Sequence, residues 1–220
     1  MDSRRAFTTA ALLLLCVPIA AAAQDEGTFI IRQGGREIGR EDFTVQVRRV
    51  GGSTGTTLLS RFRYPAVAPE VEGRVTVERR QDGSLAAAEF EVEEGRRSRR
   101  VLVEVGSNVL RIQTSAGGTQ AVREMAASGG VVVLDDSVFA LYAVVAEMAT
   151  AGGQALVGVF PRSGRRVSFT ARREPAGDDT KRDRILLAGG ITGILSLDEG
   201  GHLQRVEFSG AMTEAVRLHR

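Results

Sequence analysis

Few side chains in this sequence could do chemistry, and their spacing decides which chemistry is open to them. His202 and His219 are the only imidazoles. A metal site built on them would need further ligands at compatible spacing, so His202, directly after Gly200-Gly201, reads as a solvated turn residue. Asp198-Glu199 beside it forms an acid–base pair in name only. Ser128, Ser163 and Ser209 lie next to glycines, but none stands in a Gly-x-Ser-x-Gly frame. The glycines of Leu187-Ala188-Gly189-Gly190-Ile191-Thr192-Gly193 match neither the dinucleotide fingerprint nor the Walker pattern, and no Lys follows them. Arg96-Arg97 and Arg99-Arg100 form the densest basic cluster, the kind that takes an anionic head group or a phosphate. Glu93, Glu94 and Glu104 lie across the expected Gly95 turn or one strand step away, so cross-strand pairing accounts for the cluster. Arg162, Arg165 and Arg166 read as a solvated hairpin tip. So many acids are spread along the chain that chance carboxylate pairs are unavoidable, and none is singled out for glycoside hydrolysis. No catalytic residue, no metal ligand and no cofactor is assigned.

Composition narrows the classes further. The chain has 220 residues, with 29 basic and 27 acidic side chains, and Lys181 is its only Lys. A pI near 9.2 alongside a net charge of only +2 reflects arginines that never titrate rather than a basic surplus, which argues against a nucleic-acid partner. Trp is absent and Tyr64 and Tyr142 are the only phenols, which weakens any sugar-stacking site.

The first 23 residues read as a secretory signal. Arg4 and Arg5 make a positive start, Ala10 to Ala20 is apolar, and Ala21-Ala22-Ala23 offers the small residues a signal peptidase reads. The apolar run is shorter than the roughly 20 residues a spanning helix needs. Cleavage before Gln24 is the expectation, with an uncleaved anchor as its competitor. Lipidation of Cys16 is a third reading, disfavoured because bulky Leu15 precedes it. The chain after residue 23 holds no Cys, so an exported domain 24–220, periplasmic or secreted and not membrane-spanning, must be held by its own core.

That core belongs to strands. Phe43-Val45-Val47, Val75-Val77, Phe90-Val92, Val101-Val103-Val105, Leu110-Ile112, Val167-Phe169-Ala171 and Val206-Phe208 each alternate with polar residues, the mark of strands buried on one face. Turn residues separate them at Gln33-Gly34-Gly35, Gln81-Asp82-Gly83, Glu94-Gly95, Gly106-Ser107-Asn108, Ala116-Gly117-Gly118 and Glu199-Gly200-Gly201. Short links make antiparallel neighbours the default. The fold class expected is mainly β: a curved antiparallel sheet or half-open barrel of about a dozen strands. Pro65 to Pro69 must be loop or edge, and Glu174 to Asp179 reads as a polar surface loop.

One segment breaks the period. Asp135-Asp136-Ser137 supplies an N-cap for a central apolar helix over about 136–151, closed by Gly152-Gly153. Val138, Leu141, Tyr142, Val145 and Met148 share one face, and Phe139 lies on the other, which is hardly more polar. A helix apolar nearly all round needs cover on more than one side, so it is expected in the concavity of the sheet. Val138, Phe139, Leu141, Tyr142, Val145 and Met148 are therefore candidate lining residues of an apolar cavity between sheet and helix, with plain core as the competing reading.

Two stretches carry a resemblance. Thr28-Phe29-Ile30-Ile31-Arg32-Gln33-Gly34-Gly35-Arg36-Glu37-Ile38-Gly39-Arg40-Glu41-Asp42-Phe43 resembles the opening hairpin of exported β-proteins of the DUF3108 and DUF6134 type, and Asp198-Glu199-Gly200-Gly201-His202-Leu203-Gln204-Arg205-Val206-Glu207-Phe208 resembles their closing hairpin. Such proteins are similar in architecture to the envelope lipid-carrier folds related to LolA and LolB, where a half-open antiparallel barrel wraps apolar helices. This chain departs from the carriers in having one evident helix and no lipobox. The function expected is a non-enzymatic periplasmic protein of the bacterial envelope that binds a lipid-like or other hydrophobic ligand. The alternative is an envelope scaffolding or protein-interaction module without a small-molecule ligand, its partner another envelope protein.

Overall fold

A computed structural model of the chain describes residues 23–127, 130–174 and 183–218. The leader with Cys16, Ser128, the 175–179 part of the polar loop and His219 lie outside the described residues. Eight strands come first: β1 (Ala23–Gln33), β2 (Arg36–Val50), β3 (Ser53–Tyr64), β4 (Val71–Arg80), β5 (Leu85–Glu94), β6 (Arg97–Val105), β7 (Val109–Ala116) and β8 (Thr119–Ala126). A short β9 (Val131–Val133) and a helix α1 (Tyr142–Met148) follow. The chain then returns through β10 (Gln154–Phe160), β11 (Arg165–Glu174), β12 (Arg184–Gly189), β13 (Gly193–Leu197), β14 (Leu203–Phe208) and β15 (Thr213–Arg217).

All fifteen strands belong to one sheet in the order β8-β7-β6-β5-β4-β3-β2-β1-β15-β14-β13-β12-β11-β10-β9. Neighbours are antiparallel except β9 and β10, which run parallel in the register Val131↔Val157 to Val133↔Val159. The sheet stays open, with β8 and β9 at its edges, and curls until its two wings face each other. The β10–β11 turn touches the first wing at three points: Arg99 Nη1 donates to Arg162 O at 3.2 Å, Arg123 Nη1 to Gly164 O at 3.3 Å, and Arg162 Nη1 to Glu94 Oε1 at 3.0 Å. One core cluster occupies the concavity, drawing Phe29, Phe43, Phe62, Phe90 and Val103 from the first wing and Phe160, Phe169, Ile185, Leu195 and Val206 from the second. Phe29 and Phe43 stack with centroids 5.1 Å apart.

The alternating residues face this core as their period requires, up to the end of β2, where Val47 is exposed because the strand runs past the concavity. The turns at Gly34-Gly35 and Gly117-Gly118 adopt the positive φ that glycine permits. Pro65 to Pro69 forms the β3–β4 loop.

The helix is shorter than its sequence suggests. Asp135 does not cap it: Asp135 Oδ1 accepts the N–H of Ser137 at 2.8 Å, closing a local turn, and Val138 bridges back to Asp135. The next residues make i→i+3 bonds, Tyr142 N to Phe139 O and Ala143 N to Ala140 O, both 3.0 Å. Regular α geometry starts only at Tyr142, where Leu141 offers no side-chain cap, and ends when Ala149 turns extended. Gly153, with φ +84°, serves the turn into β10 rather than a helix C-cap.

Candidate functional site

Five of the six proposed lining residues are core. Val138, Phe139, Leu141, Tyr142 and Val145 are buried, and the rings of Phe139 and Tyr142 pack against Phe208 of β14 at centroid distances of 6.0 and 5.0 Å. Met148 is half-buried and borders a cleft at the far end of the helix. The sheet thus fills its concavity with its own segment 131–149, and the open space lies beside that segment's C-terminal end.

Polar groups from the sheet hold the start of the segment. Glu41 lies two residues before Phe43 on β2, which turns its side chain inward, and it is fully buried. Ser60 Oγ on β3 donates to Glu41 Oε1 at 2.6 Å, the Phe139 N–H donates to Oε2 at 2.7 Å, and the Ala140 N–H donates to both oxygens at 3.2 Å. Glu41 therefore does for the turn that leads into α1 what a local cap would do for a helix, satisfying backbone donors that otherwise point into apolar surroundings. Burial pushes its carboxyl up to about 7, against the downward pull of those donors, while Asp135 adds a smaller upward push. With both oxygens committed and no exposed surface, Glu41 positions the chain and does not meet a substrate.

A second anchor sits beside it. Arg162 grips Asp135 through Nε at 2.6 Å and Nη2 at 2.7 Å, and extends to Glu94 at 3.0 Å and Ser137 Oγ at 3.1 Å. This fork joins the β10–β11 turn, the β9–α1 segment and the end of β5. Arg162 is thus no solvated hairpin tip, as its setting among Arg165 and Arg166 suggests; only 13% of its side chain is exposed. Tyr64 Oη donates to Ser137 O at 2.8 Å, and burial raises its phenol. The Tyr64 ring lies against Gly39, where any Cβ would stand 2.5 Å from it.

The other end of the segment is held more lightly. Arg173 of β11 donates to Ala146 O at 3.0 Å, placing a cation at the helix C-terminus, which complements the helix dipole. Arg79 of β4 pairs with Glu147. Beside the Arg79–Glu147 pair opens a cleft of about 590 Å³. Leu85, Val105, Leu110, Val131 and Met148 give it an apolar floor, and Arg79, Arg80, Asp82 and Glu147 form a charged rim.

The remaining candidates are spoken for locally. Asp198 Oδ1 accepts the N–H of Gly200 at 3.0 Å and of His202 at 2.8 Å, so the Asp198–His202 pair builds the β13–β14 turn. Gly189 and Gly190 let the β12–β13 turn ride over β11: a Cβ on Gly190 would come within 2.2 Å of Val167. Arg100 pairs with Glu89 and Glu91, and Arg165 with Asp136 while lying 3.8 Å over the Phe160 ring. Among the described residues no group of three metal-ligating side chains occurs, and no helix is long and apolar enough to cross a membrane. No family model, no curated protein and no solved structure matches the chain.

Proposed function

We propose that this chain is a non-enzymatic, exported protein of the bacterial envelope that binds a lipid-like or other hydrophobic ligand, and that the ligand occupies the cleft beside Met148 rather than the space between helix and sheet. The observation that carries this reading is the cleft itself. Its volume of about 590 Å³ lies within the range typical of small-molecule sites, and its floor is built from aliphatic side chains. The resemblance to lipid-carrier folds supports the reading to the same end. The chemistry-bearing groups support its non-enzymatic part: Glu41 is sealed, and Asp198 and His202 serve a turn. Titration with an uncharged naphthylamine probe tests it. Saturable fluorescence is expected, weakened at least about tenfold by Met148→Arg in a protein of unchanged circular dichroism. Absence of saturable uptake, or uptake indifferent to both Met148→Arg and Val105→Arg, overturns it.

A second reading, an interaction module without a small ligand, has its own observation. Among the described residues edge strand β8 pairs with β7 alone, and seven of its eight residues are exposed. An edge of this kind can accept a strand from a partner. In-cell crosslinking from Val122 to one defined envelope protein, together with an empty cleft, favours this reading over the first.

A further inference from the structure

Resting on the ligand-binding reading, we infer that the cleft takes an anionic amphiphile, whose carboxylate or phosphate head group replaces Glu147 on Arg79 while its tail lies on the apolar floor. Arg79 points inward from β4 and only 9% of its side chain is exposed, whereas the side chain of Glu147 is 58% exposed. The two partners are therefore unequal. Arg79 Nε donates to Gly83 O at 2.9 Å, which keeps the guanidinium at the cleft wall, while its Nη1 faces the Glu147 carboxylate. A guanidinium carries five donors and cannot discharge itself, so at this depth it requires an anion. Glu147 can be exchanged for another anion at little cost, because its own carboxylate is largely exposed and Arg79 keeps a counter-charge throughout.

The position of Glu147 strengthens the case. It lies in the last turn of α1, where the helix dipole disfavours a negative charge, so nothing in the helix calls for an acid there. What Glu147 does supply is a stand-in for an anion at the mouth of the cleft. From Arg79 the floor continues to Leu85, Val105 and Leu110, with Val131 and Met148 beside them. A planar guanidinium receives a carboxylate or phosphate in two-point fashion, and an acyl chain fits the floor. Arg80 is no competitor for the head group, since its Nη1 is turned to Leu85 O at 2.6 Å.

Competition against the naphthylamine probe, on the protein ending at Arg220 and starting at Gln24, tests the inference. Laurate and dodecyl phosphate are expected to displace the probe at concentrations about tenfold below those of monolaurin and dodecyltrimethylammonium. The better of the two anions tells whether the natural head is a carboxylate or a phosphate. Glu147→Gln, a surface change that keeps the fold, is expected to raise the preference for laurate over monolaurin about fivefold, because it frees Arg79. Equal displacement by charged and uncharged amphiphiles, or an unaltered preference in Glu147→Gln, overturns the inference while leaving the cleft a ligand site. Failure of the probe to bind overturns both.

Discussion

The two ends of the segment from Asp135 to Ala149 are built on different principles. At its start, Glu41, Ser60, Tyr64, Asp135 and Arg162 form a buried set in which nearly every donor meets an acceptor and neither member of the Asp135–Arg162 pair is much exposed. At its end, one buried arginine pairs with one exposed glutamate at the rim of an open cleft. The first end sets where the segment lies. The second leaves a partner free to be exchanged. A fold that inserts a mostly apolar segment into its own concavity needs one end that cannot slip, and can then leave the other end for traffic with solvent.

Breaking the anchored end should cost most. Asp135→Ala leaves the mostly buried Arg162 with only Glu94 and Ser137 and is expected to lower stability by about 3 kcal/mol in urea unfolding, the scale of removing one partner of a buried pair. A loss below about 1 kcal/mol would mean that the anchor lies elsewhere. Glu41 should make the same end sensitive to acid in an unusual direction. Its native pKa, near 7, lies above the unfolded value of 4.5, so the native state holds the proton more tightly. Its contribution is fully present below pH 4.5 and is lost as pH rises through 7. The stability of the parent chain minus that of Glu41→Gln is therefore expected to improve by on the order of 2 kcal/mol between pH 8 and pH 5. Carboxylates whose pKa is lowered, such as the half-buried Glu91 beside Arg74, occur in both proteins and cancel in the difference. Parallel curves would show that Glu41 stays ionised, held by its three donors. Tyr64→Phe removes one bond to Ser137 O and should cost about 1 kcal/mol. The smallest effect belongs to the open end: Glu147→Gln leaves Arg79 an amide oxygen, the Gly83 carbonyl and the water of the cleft, and should lower stability in urea by less than about 1 kcal/mol while altering ligand preference. If Glu147→Gln destabilised the chain as much as Asp135→Ala does, the distinction between the two ends would collapse.

Much of the sheet was legible because burial on one face imprints a period of two, as in Val101-Val103-Val105. The strands that escape that reading have physical reasons. β8 buries no residue on either face, so no alternation marks it. β9 is three residues long and apolar on both sides. On β3 the inward row Leu58, Ser60, Phe62, Tyr64 carries a hydroxyl in its midst, and on β2 the inward row carries Glu41. Each looks like a fault in its own strand, and only their meeting across the β2–β3 ladder, over the N–H groups of residues 139 and 140, turns two faults into a cap. The sequence overstates the helix for the same reason: Asp135-Asp136-Ser137 has the composition of a local N-cap, yet Asp135 is claimed by Arg162 from a turn 27 residues later. Of the lining residues, periodicity could say which were apolar but not which lay at the end of the concavity, and only Met148 does. Arg79 and Glu147, 68 residues apart, carry no signal of each other in the sequence.

The pairing of β1 with β15 sets a timetable for assembly. Every other ladder joins strands that follow one another along the chain, so two zippers can close from local turns, whereas the middle of the sheet joins residues such as Phe29 and Arg217. Arg217 also reaches Asp25, at 2.6 Å, just after the expected cleavage point. A chain synthesised from its N-terminus must therefore keep the inner edge of its first strand waiting until nearly the last residue has appeared. The finished sheet cannot form early, because the seam at its middle waits for β15.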